Sequence, residues 1–306
     1  MTTLQEIGED ALIRRLTRLL PLAPDPLAGP GDDCAVIDPG PDSPTLLLLK
    51  TDALVEHVHF LPDTPPRAVG WKAIARVVSD FAAMGGLPER FLITLALPAA
   101  TRIEWAEALY HGMGDCLRAF DAVLAGGETS SVPPQSATVI AIAATGSVRR
   151  EHLVLRSSAR PGQPILVTGT LGGSLRGKHL SFTPRITESH WLASHFKPAA
   201  MMDLSDGLAK DLPRLAAASG CGAALDRDQL PLTPGCSPAQ ALTDGEDFEL
   251  LFTCQPEQLE PLQSAWPLTF PELPLTRIGT IVEPAAGESL SGGWDHFAPA
   301  ILNPKS

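Results

Sequence analysis

Acidic residues close to Gly, Ser or Thr recur along this 306-residue chain, and they are the side chains best placed for chemistry. Most stand where a predicted strand or helix begins or ends; the set is Asp32, Asp33, Asp52, Asp80, Glu128, Asp203 and Asp206. A single acid at such a place is typical of a helix cap or a turn. Because few Lys or Arg residues flank them, clustered carboxylates would repel one another unless they held cations. Hard divalent ions, above all Mg²⁺, prefer oxygen ligands and join protein carboxylates to substrate phosphates, so we expect a Mg²⁺ site.

A second candidate is Gly126-Gly127-Glu128-Thr129, which follows a strand predicted over 122–125. Glycines in a turn let backbone N–H groups approach a phosphate, and an adjacent acid can hold the metal bound to it. An ordinary tight turn explains the same residues. The chain has no GxxxxGK[ST] motif and no HRD/DFG set, which excludes the P-loop and protein-kinase forms of phosphoryl transfer.

Two further segments admit both a structural and a functional interpretation. Four acids precede or enter the apolar run of 244–252, either to keep an edge strand soluble or to contact a ligand. His59, at the end of a predicted strand, and Trp294, near the C-terminus, fit packing as well as ligand contact.

The elements that must position these residues are strands and helices in an α+β arrangement. Helical spacing of apolar residues predicts helices over 3–20, 68–84, 103–120 and 208–218. Apolar runs predict strands that include 45–50, 54–60, 91–97, 138–147, 164–168 and 275–281. Since many strands come in adjacent pairs, we expect two α+β domains with mixed or antiparallel sheets, divided into 1–148 and 149–306.

Composition limits the partners and the compartment. Lys and Arg total 23 while Asp and Glu total 35, a formal net charge of −12, and this excess argues against nucleic acid as a partner. We expect no membrane span and no secretory signal, because the chain lacks a long apolar run and begins with an acidic amphipathic segment. Five scattered cysteines without a CxxC pair argue against a disulfide framework and favour the cytoplasm.

Taken in order, eight segments resemble the thiamine-monophosphate kinase family of the aminoimidazole-ribotide synthetase superfamily. They are GDDCAVI (31–37), KTDALVEHVHF (50–60), GWKAIARVVSDFAAMGG (70–86), GGET (126–129), LRSSARPGQPILVTGTLG (155–172), MMDLSDGLAKDL (201–212), TDGEDFELLFT (243–253) and GWDHF (293–297). The resemblance implies ATP-dependent phosphorylation of thiamine monophosphate to thiamine diphosphate. It also implies a homodimer joined through the N-terminal sheets and ATP bound between the two domains.

The resemblance assigns roles residue by residue. Ligands of several Mg²⁺ ions would be Asp33, Thr51, Asp52, Asp80, Glu128, Asp203 and Asp206. ATP would contact Tyr110, Gly127, Arg156 and Ser205, and thiamine monophosphate would contact His59, Glu246 and Trp294. With two anionic substrates and no obvious nucleophile, the expected reaction is a direct in-line transfer aided by Mg²⁺.

Several residues depart from the family pattern, and two of them lie at or beside predicted metal ligands. Glu128 stands where the family has Asp, and the extra methylene moves the carboxylate by about one bond length, which matters to the strict geometry of Mg²⁺. Lys50 replaces a small hydroxyl residue, and its ammonium group could stand in for a metal ion or displace one. Two alternatives therefore stay open: another ATP-dependent enzyme of the superfamily, such as a ligase or cyclase, and a Mg-ATP-binding relative without turnover.

Overall fold

The structure is a computed structural model that describes residues 2–22, 27 and 29–297. Five strands from the first half of the chain form one sheet, in the order β1-β2-β5-β3-β4. They are β1 (Ala35–Ile37), β2 (Thr45–Val55), β3 (Leu87–Pro98), β4 (Val123–Val132) and β5 (Val139–Arg149). Neighbouring strands are antiparallel except β3 and β4, which run parallel.

A second sheet is built from the second half, in the order β7-β9-β6-β10-β8, and all its neighbours are antiparallel. Its strands are β6 (Pro164–Thr168), β7 (Ala200–Asp203), β8 (Gly222–Leu225), β9 (Leu250–Thr253) and β10 (Leu275–Val282). The helices are α1 (Leu4–Ile7), α2 (Glu9–Thr17), α3 (Pro66–Ala83), α4 (Ile103–Ala119), α5 (Ile186–His195), α6 (Leu208–Ala218), α7 (Pro238–Thr243) and α8 (Leu259–Thr269). The predicted α+β class with a mixed and an antiparallel sheet is confirmed.

Helix α3 is the central element, because it contacts α4, β2 and β5 of the first half of the chain as well as α5 and β7 of the second. Most of its residues are buried, which agrees with a sequence that is apolar nearly all round. Its buried Lys72 and Asp80 and the largely buried Arg76 are therefore exceptions. Spaced four residues apart, these three lie along one stripe of the helix.

The two halves pack against each other through side chains as well as through α3. The ring of Phe182 stacks on that of Phe248 with centroids 3.9 Å apart, and both belong to the core of the first sheet. The N-terminal helix α2 is held to α6 by ion pairs, Lys210 to Glu9 and Arg214 to Asp10, each at 2.7 Å. No helix among the described residues is both long and apolar enough to cross a membrane.

Three local predictions from the sequence are wrong. The predicted helix over 3–20 is two helices, because Gly8 separates them with a φ of 70°. The strands predicted over 45–50 and 54–60 are not separate: β2 continues without a break to Val55, and His59 lies in the turn that follows.

The third concerns residues 126–129, which lie inside β4 and not in a turn. Pairing with β3 skips Ala125, so the strand carries an irregularity at that point. A Cβ on Gly127 would lie 2.1 Å from the carbonyl oxygen of Ile93. Glycine is thus required here for close strand approach, which in sequence is indistinguishable from a requirement of a turn.

Candidate active site

Three predicted metal ligands converge where the halves of the chain meet. Asp33 precedes β1, Asp80 lies in the last turns of α3, and Asp203 ends β7. One carboxylate oxygen from each lies within 4.8 Å of the others, and all three residues are buried. We call these residues the acid trio.

The acid trio fits a hard divalent cation. Its donors are all carboxylate oxygens, the ligands that Mg²⁺ prefers. Burial, with the neighbouring carboxylates, raises the pKa of Asp80 well above its ordinary value and that of Asp203 to about 6. The hydroxyl of Ser79 donates to Asp203 at 2.5 Å, which fixes one carboxylate but supplies no charge. A divalent cation would add positive charge to three clustered carboxylates, of which Asp203 has no ion pair among the described residues.

Arg156 lies beside the acid trio. Its Nη2 and Nε lie 2.6 and 3.0 Å from the two carboxylate oxygens of Asp33, a bidentate pair, and its backbone N–H donates to Asp32 at 3.2 Å. The structure therefore places this predicted ATP contact next to the predicted metal ligands.

Four other predicted metal ligands lie outside the trio. Thr51 points to the opposite face of the sheet and donates to the carbonyl of Ile142 at 3.0 Å. Asp52 is paired with Arg76, and Asp206 lies 2.6 Å from Nη1 of Arg214. Glu128 is exposed on β4 and accepts a hydrogen bond from Ser130 at 3.1 Å.

The remaining predicted ATP contacts lie on three different segments, α4, β4 and the loop after β7. Tyr110 lines an open, mainly apolar cleft of about 540 Å³ between α4 and the β3–β4 edge. Such a surface suits a flat aromatic base. Gly127 is exposed on the neighbouring strand β4. Ser205 lies just after Asp203, where its backbone N–H donates to Asp211 at 3.0 Å.

Two of the residues predicted to contact thiamine monophosphate, the phosphoryl acceptor, lie around a third aromatic residue. They are His59 and Trp294. The ring of His296 lies 5.4 Å from His59 and 5.5 Å from Trp294 between centroids. The backbone N–H of Trp294 donates to the carbonyl of Asp206 at 2.7 Å, which ties this aromatic group to the loop before α6. His296 lies in the GWDHF segment, but no pattern in the sequence predicts a role for it.

The third residue predicted to contact the phosphoryl acceptor, Glu246, is buried against Lys72 and His179. Its Oε2 lies 2.8 Å from Nζ of Lys72 and 3.1 Å from Nδ1 of His179. Lys72 also donates to the carbonyl of His59 at 2.7 Å. One ammonium group therefore connects Glu246 with His59, two of the three residues predicted to contact thiamine monophosphate. Sequence reasoning missed Lys72; its signal was a lysine within an otherwise apolar helical run.

The acids after Thr243 do not solubilise an edge strand. β9 lies between β7 and β6, and Glu246, Asp247 and Glu249 are all buried. Glu249 accepts hydrogen bonds from Arg185 and Lys178, each at 2.8 Å. The edge-strand interpretation is therefore wrong.

Comparisons with known proteins agree with this architecture. The model of AIR synthase related protein, N-terminal domain, matches residues 31–148, and that of the C-terminal domain matches 173–288. The thiamine-monophosphate kinase of Rhodopirellula baltica is 37% identical over 290 residues, covering 89% of this chain and 88% of that protein. The chain belongs to the thiamine-monophosphate kinase family. The enzyme of that name from Escherichia coli K12 is 34% identical, covering 95% of this chain and 98% of its own.

A solved structure of the same family extends the likeness to three dimensions. The protein described as AaThiL complexed with AMPPCP and TMP has a TM-score of 0.83 and 32% identity, covering 97% of this chain and 99% of its own. The family therefore includes a member whose structure was solved with an ATP analogue and thiamine monophosphate bound. The likeness extends over nearly the full length of both chains.

Proposed function

We propose that this chain transfers the terminal phosphoryl group of ATP to the phosphate of thiamine monophosphate, giving thiamine diphosphate and ADP. The observation that carries the proposal is the acid trio, in which Asp33, Asp80 and Asp203 bring buried carboxylates from both halves of the chain together. The family's shared name and the ligands of its solved member support the choice of substrates.

The chemistry requires positioning more than protein nucleophiles. An oxygen of the acceptor phosphate attacks the γ-phosphorus, and the bond from that phosphorus to the bridging oxygen of ADP breaks. Mg²⁺ bound by Asp33, Asp80 and Asp203 would screen the negative charge of both substrates. Because the acceptor oxygen is already anionic, no side chain has to act as a general base.

The chain's own residues orient the two substrates from opposite sides. We propose that Tyr110 packs against the adenine in its apolar cleft, with Gly127 and Ser205 nearer the phosphates. Arg156, held at Asp33, presents a guanidinium group to a phosphate. Trp294 and His59 present ring faces to the cationic thiazolium of thiamine monophosphate. Glu246 is connected to His59 through Lys72, which contacts both residues.

The remaining predicted metal ligands stay proposals of lower rank. Asp206 adjoins Trp294 through its carbonyl and is the member best placed to hold a further ion near the acceptor. Thr51 and Glu128 lie on or beside the open side of the first sheet, where only a movement or a second chain would bring them to a phosphate.

That open sheet face supports the predicted homodimer. Residues of β2 alternate so that Leu46, Leu48 and Leu54 are buried beneath α3, while Leu47, Leu49 and Thr51 lie on the opposite face of the sheet. Leu92 is 48% exposed on the outward face of β3, beside the small residues Ala125 and Ala143. An apolar, small-residue face of this kind suits a second copy of the same sheet.

All five cysteines are free thiols, which supports a cytoplasmic location.

Product analysis tests the proposed reaction. Purified protein is incubated with ATP, thiamine monophosphate and Mg²⁺, and the nucleotides and thiamine esters are separated by anion exchange. We expect ADP and thiamine diphosphate in equal amounts, each dependent on both substrates. ADP with inorganic phosphate and no thiamine diphosphate would overturn the proposal and favour the ligase or cyclase alternative.

A further inference from the structure

We propose that Lys50 and Arg76 act as resident cations that take the place of one divalent ion between Asp52 and Asp80. This inference rests on the proposed function, because it concerns the metal content of the same site. Its starting point is that two predicted metal ligands already have protein cations bound to their oxygens. Nζ of Lys50 lies 2.6 Å from Oδ1 of Asp80, and Nη2 of Arg76 lies 3.1 Å from Oδ2 of Asp52.

The four residues form a reciprocal arrangement, which we call the crossed pairs. Lys50 and Asp52 are two positions apart on β2 and share the face that packs beneath α3. Arg76 and Asp80 are four positions apart on α3 and share its stripe toward β2. The strand's cation binds the helix's anion, and the helix's cation binds the strand's anion. Two elements therefore deliver matched charges at matched spacing.

Burial indicates that these cations are fixed and not solvated surface groups. The side chains of Lys50 and Arg76 are 20% and 13% exposed, and those of Asp80 and Asp52 are 11% and 23% exposed. Nε and Nη1 of Arg76 are buried without a hydrogen-bond partner among the described residues. Leaving such donors unpaired lowers the free energy of unfolding. A functional role for the positive charge of Arg76 at this position would explain why an arginine is present despite that loss.

The charges also indicate which carboxylates bind protein cations and which bind divalent ions. Two monovalent cations in the crossed pairs equal the charge of one divalent ion and neutralise Asp52 and Asp80. A divalent ion placed between those acids would meet both positive groups and would have to displace them from the carboxylate oxygens. Asp203, by contrast, accepts a hydrogen bond from the neutral Ser79 hydroxyl and forms no ion pair among the residues that the structure describes. Asp203, the member of the acid trio without an ion pair among the described residues, is thus the carboxylate to which a divalent ion is directed.

Counting bound ions tests this division without relying on turnover. Mn²⁺ is titrated into the protein with AMPPCP and thiamine monophosphate present, and free Mn²⁺ is measured by electron paramagnetic resonance. We expect the double variant Lys50→Ser/Arg76→Val to bind one more Mn²⁺ per chain than the parent. The control Arg67→Val/Arg118→Ser removes equal charge from an exposed cluster around Asp115 and should leave the count unchanged.

The outcomes separate this inference from the proposed function. Equal and non-zero counts for the parent and the double variant would overturn the resident cations while leaving the metal site intact. No Mn²⁺ bound by either would overturn the proposed metal site itself, and the inference with it.

A measurement on single acids covers the case in which the double variant fails to fold, as judged by circular dichroism. Asp203→Asn should lower the Mn²⁺ count, whereas Asp52→Asn should not, because Asp52 holds Arg76 and not an ion. A count lowered by Asp52→Asn would contradict the proposal.

Discussion

Single charged residues on α3 connect the chemistry of this chain to its packing. Lys72, Arg76 and Asp80 follow one stripe of a buried helix. Lys72 pairs with Glu246, which precedes β9, whereas Arg76 and Asp80 pair with Asp52 and Lys50 of β2. A buried charge without a partner is strongly unfavourable, so each partner is a requirement of the fold as well as of the site. The stripe thus places the acceptor contacts, the crossed pairs and the acid trio in register.

Removing a member of the acid trio should abolish most turnover. In Asp203→Asn the shape is kept but a charged ligand is lost, so kcat for thiamine diphosphate formation should fall more than about 100-fold. Ser79 can still donate to the amide oxygen, and circular dichroism should show a native fold. A kcat within about threefold of the parent would contradict the assignment of Asp203.

The two aromatic sites should separate the two substrates. Trp294→Ala should raise the KM for thiamine monophosphate about tenfold through loss of a ring facing a cation, with a smaller effect on ATP. Tyr110→Ala should raise the KM for ATP more than the KM for thiamine monophosphate, because Tyr110 lines the cleft proposed to hold the adenine. Steady-state kinetics with each substrate varied gives both values. Equal effects of either variant on both KM values would mean that its ring only packs.

Among the elements, the segment between α7 and β9 shows what a local pattern can and cannot predict. The acids of 244–249 were recognisable as unusual, but acids that precede or enter an apolar run also fit a charged edge strand. The structure instead gives Glu246 and Phe248 positive φ angles of 55° and 51°, which turn the intervening Asp247 inward. Such backbone angles are set by tertiary contacts, including Glu246 N–H to the Ser205 carbonyl, and no sequence pattern reveals them.

Asp247 predicts a pH dependence of stability at this segment. Burial raises its pKa to about 7, although the backbone N–H of Gly172 donates to its carboxylate. Between about pH 4 and pH 7 the native state therefore keeps a proton that the unfolded chain loses. Raising the pH through this window lowers the free energy of unfolding by up to about 1.4 kcal/mol per pH unit from this group, and above it the loss levels off.

Urea unfolding of the parent and of Asp247→Asn across that window checks this dependence. The asparagine cannot ionise, so the difference in unfolding free energy between the two proteins should shift in favour of the variant as the pH rises. Curves that stay parallel from pH 4 to pH 7 would show that Asp247 titrates normally.

Regular elements were the part of the fold that the sequence predicted best. Helix α6 and strand β6 appear with the expected bounds, because their apolar spacing and flanking glycines are unambiguous. The Gly126-Gly127 segment misled because its glycines serve strand pairing across a bulge, which depends on the partner strand β3. Local sequence therefore gives the type of an element more reliably than the reason for a glycine within it.

At the scale of the whole molecule, the site exists only because both halves of the chain contribute to it. The sequence indicated acids that would bind Mg²⁺, and the structure brings Asp33, Asp80 and Asp203 together across 170 positions. It could not indicate which of the seven candidates meet, because that depends on how α3 is enclosed by the two sheets. Lys72 and Arg76 were missed for the same reason: their partners are distant in sequence.

The open face of the first sheet predicts a dimer that a single charge should break. Leu92→Asp places a carboxylate on this exposed apolar face, whose burial against a second copy would cost several kcal/mol. Sedimentation should give a dimer mass for the parent and a monomer mass for the variant. The matched change Leu268→Asp, on the exposed side of α8, should leave the dimer intact. A monomeric parent would contradict the predicted homodimer.

The most direct test of the site as a whole is to locate its ions. Crystals grown with Mn²⁺, AMPPCP and thiamine monophosphate would be measured for anomalous scattering at the manganese edge. A peak within about 2.3 Å of carboxylate oxygens from Asp33, Asp80 and Asp203, and none between Asp52 and Asp80, is the predicted result. Peaks that avoid the acid trio while nucleotide is bound would contradict it.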